Sequence, residues 1–430
     1  MKIIENKKIQ EKYYMKVLSN GLTVFLMPKT DFYKTYAIFA TKFGSRDTEF
    51  IPRGSLEYIK TPEGIAHFLE HKLFEQEDGN DASNLFASFG ADVNAFTTNS
   101  QTAYLFSTTS DVNSSVELLL DFVQTPHFTK EGIEKEQGII EQELLMYLDQ
   151  PQNIQYYGIL KALYKENSIR NEIGGTVESI KEIDEELLYT CYNTFYHPSN
   201  MTLAVIGNFD KDEMIELIEN NQNKKSFDEP KEIIRKYTID NDQVNEKDSY
   251  VDMNVFIPKA TIGIKFPYKK LTPLDSLKRF TALEILIDLY YGESTEIYED
   301  LMNNGYINNS FEYSLYYDET YGHLLLSVDT QSPDNFIDKM REILNLIKIS
   351  DINENDFNRI RKLYIARAIK RFNSLEYVAN SIVESHMDGH NIFDYIDILN
   401  TLTIDDLCNV RELFDDKYTS TFIIFPTENK

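Results

Sequence analysis

Residues 67 to 71 read His-Phe-Leu-Glu-His, and this pattern restricts the chain more than any other. Two imidazoles and a carboxylate this close in sequence share one side only on a helix. At 3.6 residues per turn, His67 and His71 fall four apart on one face, where both rings can reach a single ion at about 2.0–2.1 Å. Glu70 lies beside His71 on that face, near enough to hold a reacting water without ligating the ion, a position that suits a general base. The rest of the helix must then be anchored. Thr61-Pro62-Glu63-Gly64 supplies a start signal, and Ile65, Phe68, Leu69, Leu73 and Phe74 supply an apolar face. A zinc enzyme is the leading reading, against a core helix that happens to carry two histidines. A third ligand separates the two, since catalytic zinc takes three from the protein and leaves the fourth position to water.

Downstream, Glu134 to Glu143 reads as an acidic helical stretch. Glu136 and Glu143 are seven apart and share a face after two turns, while Glu141 falls off it. In a chain this acidic, a solvated helix face would account for either glutamate taken alone. Here the residues resemble a known family, the inverted zinc-motif peptidases of pitrilysin and mitochondrial processing peptidase. That family pairs H-x-x-E-H with a glutamate about seventy residues on, closing an E-(six residues)-E pattern. In this chain Glu143 stands 72 positions after His71 (143 − 71). The resemblance implies one Zn2+ per chain on His67, His71 and Glu143. It makes Glu136 the carboxylate that hydrogen-bonds a ligating imidazole and fixes its tautomer.

The likeness extends along most of the chain. Leu18 to Val24 looks like the family's opening hairpin, with Asn20-Gly21 as its turn. Phe43-Gly44-Ser45 and Gly64-Ile65-Ala66-His67 resemble its approach to the zinc helix, and Gly90 to Thr97 with Tyr104 resembles the next strand pair. In the family that strand receives the substrate backbone by strand addition, which makes Asn94, Ala95 and Phe96 the substrate-binding residues implied here; an ordinary edge strand would read the same way. Phe195 to Gly207 matches the end of the first domain's sheet, with His197 a structural turn residue before Pro198. The segments His71-Lys72-Leu73-Phe74-Glu75 and Phe122-Val123-Gln124-Thr125-Pro126 are similar to a Firmicute subgroup associated with modification of elongation factor P.

A length of 430 residues with 42% hydrophobic and 13% aromatic side chains gives ample core material. Two cysteines, Cys191 and Cys408, allow neither a disulfide framework nor a cysteine metal site. No apolar run reaches signal-peptide or membrane-helix length, so the expectation is a cytoplasmic protein without membrane insertion. The formal charge of −27 argues against nucleic acid, whose binding needs clustered Lys and Arg.

Apolar periodicity weakens from 226 to 249 and resumes at Phe256, placing a linker between a domain at 1–225 and a domain at 250–430. After the linker come a strand near Ala260 to Ile264, a helix from about Pro273 to Tyr291, strands between Ser310 and Asp329, and a terminal strand at Ser420 to Phe425. This repeats the order of the first half and suggests duplication. The fold expected is α+β: two homologous sandwich domains, each a mostly antiparallel sheet packed with helices, together forming half of a clamshell. The segment Arg279 to Leu286 stands where a second zinc motif would be and holds no histidine, so the second domain has no metal site.

Catalytically complete members of the family carry an Arg and a Tyr in the second half, which bind substrate and stabilise the oxyanion. Aligned on Gly305, Leu301 takes the Arg position here and Asn308 the Tyr position. The resemblance therefore implies a zinc metalloendopeptidase subunit acting on short unfolded peptides or a precursor peptide. A homologous chain in a heterodimer would supply the Arg/Tyr pair, with a homodimer as the other arrangement. The alternative is a non-catalytic scaffold or assembly subunit. The remaining histidines read as structural: His386 and His390 at a helix end marked by Gly389, His127 in a turn, and His323 in a strand.

Overall fold

The Asn20-Gly21 turn joins two antiparallel strands of the first sheet. Leu18 N donates to Leu22 O at 2.9 Å, and Gly21 adopts a φ of +90° that favours glycine. The structure, a computed structural model, describes residues 1–77 and 79–427. Its first half contributes strands β1 (Lys2–Asn6), β2 (Glu11–Val17), β3 (Thr23–Pro28), β4 (Thr35–Thr41), β5 (Glu49–Phe50), β6 (Ile59–Lys60), β7 (Asp92–Thr97), β8 (Thr102–Thr108) and β9 (Met201–Gly207). The second half contributes β10 (Asp248–Met253), β11 (Lys259–Lys265), β12 (Glu312–Tyr317), β13 (Gly322–Asp329) and β14 (Thr419–Pro426).

The large sheet runs β1-β2-β3-β9-β4-β8-β7, antiparallel throughout except between β3 and β9. The second runs β10-β14-β11-β13-β12, antiparallel except between β10 and β14. Numbered in chain order from β3 and from β10, both sheets place their strands 1-5-2-4-3 and both make the 1/5 pair parallel. Duplication is thus written in the topology. β4 and β9 are buried along their whole length, as central strands covered on both faces must be, and both read as near-continuous apolar runs. β10, at an edge, alternates exposed and half-buried residues.

The helices that follow are α1 (Ile65–Leu73), α2 (Ala82–Ser88), α3 (Val112–Val123), α4 (Lys130–Leu148) and α5 (Pro151–Leu163). The helix Pro273–Tyr291 lies between the second and third strands of its sheet, the place α1 holds in the first. Its bounds match the sequence expectation, and so do those of the strands around it.

The chain divides into two compact units that are not consecutive in sequence. One comprises Met1–Leu144, Glu172–Tyr237 and Ile369–Phe393; the other comprises Leu145–Asn171, Thr238–Ala368 and the chain from Asp394. The two halves trade a helix. α5 packs on β14 and β11 in the second unit, where Gly158 and Gly263 let it come close: a Cβ on either would meet Phe422 at 2.3 Å or Leu163 at 2.8 Å. In return the helix Leu375–Met387 packs on β9 and β4 in the first unit. The polar stretch 226–249 is tied down on both sides of the crossing at Tyr237. Ile51 N and Lys236 N pair it with β5 through Ile234 O and Glu49 O, and Asp47 accepts from Tyr237 Oη at 2.8 Å and lies 3.0 Å from Arg235 Nε. Beyond the crossing, Asp240 accepts from Glu166 N and Asn167 N at 2.9 and 2.8 Å. No helix among the described residues is long and apolar enough to cross a membrane.

Candidate metal centre

α1 opens at Gly64, whose φ of +88° starts the helix without a side-chain cap. A Cβ there would sit 2.3 Å from Gly174 O, so glycine is required for both conformation and space. Ile65, Ala66, Phe68, Leu69 and Leu73 are buried in the first unit's core. Burial of Phe68 and Leu69 contributes about 1.5–3 kcal/mol each. That apolar face fixes the helix, and His67 and His71 project from the other side.

α4 is built the same way. Ile133, Ile140 and Leu144 form its buried stripe, and Glu136 and Glu143 flank it. Lys72, fully buried, sets the spacing between the two helices. It ion-pairs with Glu75 and lies against Gly132 in the first turn of α4, where a Cβ would come within 2.7 Å of its Nζ.

The two helices bring together three of the residues expected as ligands. His67 Nε2 stands 3.9 Å and His71 Nε2 3.6 Å from Glu143 Oε2, and one donor atom from each lies within 4.8 Å of the others. Tetrahedral zinc with donors at about 2.0–2.1 Å has donor–donor edges of about 3.3–3.5 Å, so two imidazoles and a carboxylate at these separations suit it. Glu136 Oε1 lies 3.0 Å from His71 Nδ1, on the ring edge away from Glu143. Glu141 points elsewhere and reaches Lys181 at 3.4 Å.

Burial, with His71 adding to it, pushes His67 down to about 3, so its ring is neutral and free to ligate at ordinary pH. Burial also acts to lower His71, but the hydrogen bond and charge of Glu136, then the charges of Glu70 and Glu143, outweigh it and hold His71 above the usual histidine range. Burial raises Glu70 above the usual carboxylate range, against a hydrogen bond from Thr97. That bond, Thr97 Oγ1 to Glu70 Oε2 at 2.5 Å, joins the end of β7 to the centre. The sequence pattern does not mark Thr97 as part of the site; for Lys72 the signal is a charged residue on the apolar side of α1.

Asn94, Ala95 and Phe96 lie on β7, which is the edge of the large sheet with no strand on its outer side among the described residues. Leu301, at the position aligned with the family's Arg, is fully buried in the second unit. Asn308 is spent on a turn, where Oδ1 accepts from Ser310 and Nδ2 donates to Asp329 O. His197 caps a short 3-10 turn, and its Nε2 is 2.7 Å from Asp228 O. His323 is fully buried, its Nδ1 3.1 Å from Tyr164 Oη. His386 is not exposed as a helix-end residue would be; its ring packs edge-on against Phe25 at 5.1 Å.

The sequence matches the family descriptions "Insulinase (Peptidase family M16)" over residues 50–177 and "Peptidase M16 inactive domain" over 182–364. YmfH of Bacillus subtilis, named an uncharacterized zinc protease, is 40% identical over 97% of this chain and 98% of its own length. A solved M16-like structure from Alicyclobacillus acidocaldarius superposes with a TM-score of 0.93 at 35% identity, covering 96% of this chain and 98% of that one. The periplasmic protease PqqL of Escherichia coli shares the fold at 15% identity and a TM-score of 0.74. It matches 97% of this chain, which spans 48% of PqqL. With a relative so similar across nearly the whole length, this chain belongs to peptidase family M16.

Proposed function

We propose that the chain is the zinc-bearing subunit of a metalloendopeptidase that hydrolyses short unfolded peptides or trims a precursor peptide. The convergence of His67, His71 and Glu143 beside the Glu70 carboxylate carries this reading. Those three residues would hold one zinc ion per chain; when bound, the ion supplies Lewis acidity that acidifies water and polarises a scissile carbonyl. Glu70 takes the proton of the attacking water and delivers it to the leaving amine. Glu136 accepts from His71 Nδ1 and keeps Nε2 bare toward the metal. Asn94, Ala95 and Phe96 offer the open edge of β7 to a peptide backbone, a mode that asks little of the peptide's sequence.

A homologous chain supplies the Arg/Tyr pair, because Leu301 is core and Asn308 is a turn residue. The half-length match to PqqL supports a unit of two such chains, as a heterodimer or a homodimer. The buried Leu301 also favours the second reading, a scaffold subunit whose cleft holds a partner. Cleavage of a mixed pool of short peptides by the zinc-loaded chain, alone and with homologous chains from the same cell, separates these readings. Cleavage only in the mixture supports the split site; no cleavage in any combination leaves the scaffold.

A further inference from the structure

We infer that Thr97 is a positioning residue for Glu70, an inference that rests on the peptidase reading above. The Glu70 carboxylate is buried, and a buried carboxylate kept ionised needs a hydrogen-bond donor. Thr97 provides one at 2.5 Å, and it engages a single oxygen, Oε2. An ionised carboxylate can only accept, so the proton of this short bond comes from Thr97, and the neighbouring Thr102 hydroxyl, 3.4 Å away, sends its own proton to Phe43 O at 2.9 Å. Oε2 is thereby fixed, the plane of the carboxylate is set, and Oε1 is left to take a proton from water.

The anchor is rigid. Thr97 and Thr102 are cross-strand partners at the closed end of the β7–β8 hairpin, and Thr98 N donates to Gln101 O at 2.8 Å. The hairpin tip is clasped from behind: Ser45 N donates to Thr98 O at 3.0 Å and Arg46 N to Asn99 O at 3.1 Å. Gly44 passes so close that a Cβ would stand 2.4 Å from the Asn99 backbone. Thr97 also directly follows Asn94, Ala95 and Phe96, so the strand proposed to receive the peptide ends in the hydroxyl that orients the base. Placement of a backbone on β7 and aim of the Glu70 carboxylate are therefore set by one element.

Thr97→Val removes the donor and keeps the shape, and Thr97→Ser keeps the donor. In whichever form cleaves peptides, alone or paired, Thr97→Val should lower kcat about a hundredfold with KM and zinc content unchanged, as expected when a reacting group is misplaced. Thr97→Ser should restore most of kcat. The cobalt-substituted proteins give a readout apart from turnover: the visible absorption bands should shift in Thr97→Val and return in Thr97→Ser. Wild-type kcat and wild-type bands in Thr97→Val would overturn the inference, as would Thr97→Ser behaving like Thr97→Val. If the wild type cleaves nothing in any pairing, the peptidase reading fails, and the cobalt comparison still decides whether Thr97 holds Glu70.

Discussion

Glu136 Oε1 sits 3.0 Å from His71 Nδ1, so a residue 65 positions downstream fixes which nitrogen of His71 faces Glu143. An imidazole held this way presents Nε2 bare and more basic. Glu136→Gln should lower zinc affinity about 10- to 100-fold without unfolding the chain. Competition with a chromogenic chelator measures it, and an unchanged affinity would remove Glu136 from the centre.

The same pair gives the metal-free chain a pH dependence. His71 is raised in the fold, so its contribution to stability is fully present below the ordinary histidine value of 6.5 and is lost as pH climbs through the raised value. The melting temperature of the metal-free wild type should therefore exceed that of Glu136→Gln most at mildly acid pH, with the difference narrowing toward alkaline pH. A gap that widens with pH would contradict the pairing.

Glu143→Ala should abolish stoichiometric zinc, while Glu141→Ala should leave it unchanged, because Glu141 is turned toward Lys181. Metal analysis of the two variants side by side decides this. Full zinc in Glu143→Ala would make another acid of α4 the ligand.

Much of this centre was legible in the sequence, for a physical reason. His67 and His71 are four apart and Glu136 and Glu143 seven apart, and the helical period turns each spacing into a shared face. The helix Pro273–Tyr291 was equally legible, opened by the Thr272 cap and Pro273 and closed at Gly292. Thr97 was not, because its bond to Glu70 joins a strand end to a helix 27 residues away and no local pattern marks it. The exchange of α5 for the helix Leu375–Met387 was hidden for a similar reason. Both are apolar helices, and a helix does not carry in its own sequence the identity of the sheet it will cover. The polar stretch from 226 reads as a boundary by its composition, and Tyr237 is one of several points at which the chain changes from one compact unit to the other. What the composition did not reveal is that Arg235 and Tyr237 are bound to Asp47.

Gly64→Ala should destabilise the first unit by about 1–3 kcal/mol, since it forces a side chain into a φ of +88° and a Cβ against Gly174 O. Because Gly64 starts the helix that carries the histidines, zinc affinity should fall with it. Thermal melts with and without zinc measure both effects, and a wild-type melt would show that the loop at Gly174 yields freely.

The most direct test is Glu70→Gln, measured for zinc content and peptide turnover in the same preparation. The expected result is one zinc per chain, as in the wild type, with turnover lost. Undiminished turnover in a zinc-replete Glu70→Gln chain would contradict Glu70 as the base, and with it the mechanism built on His67, His71 and Glu143.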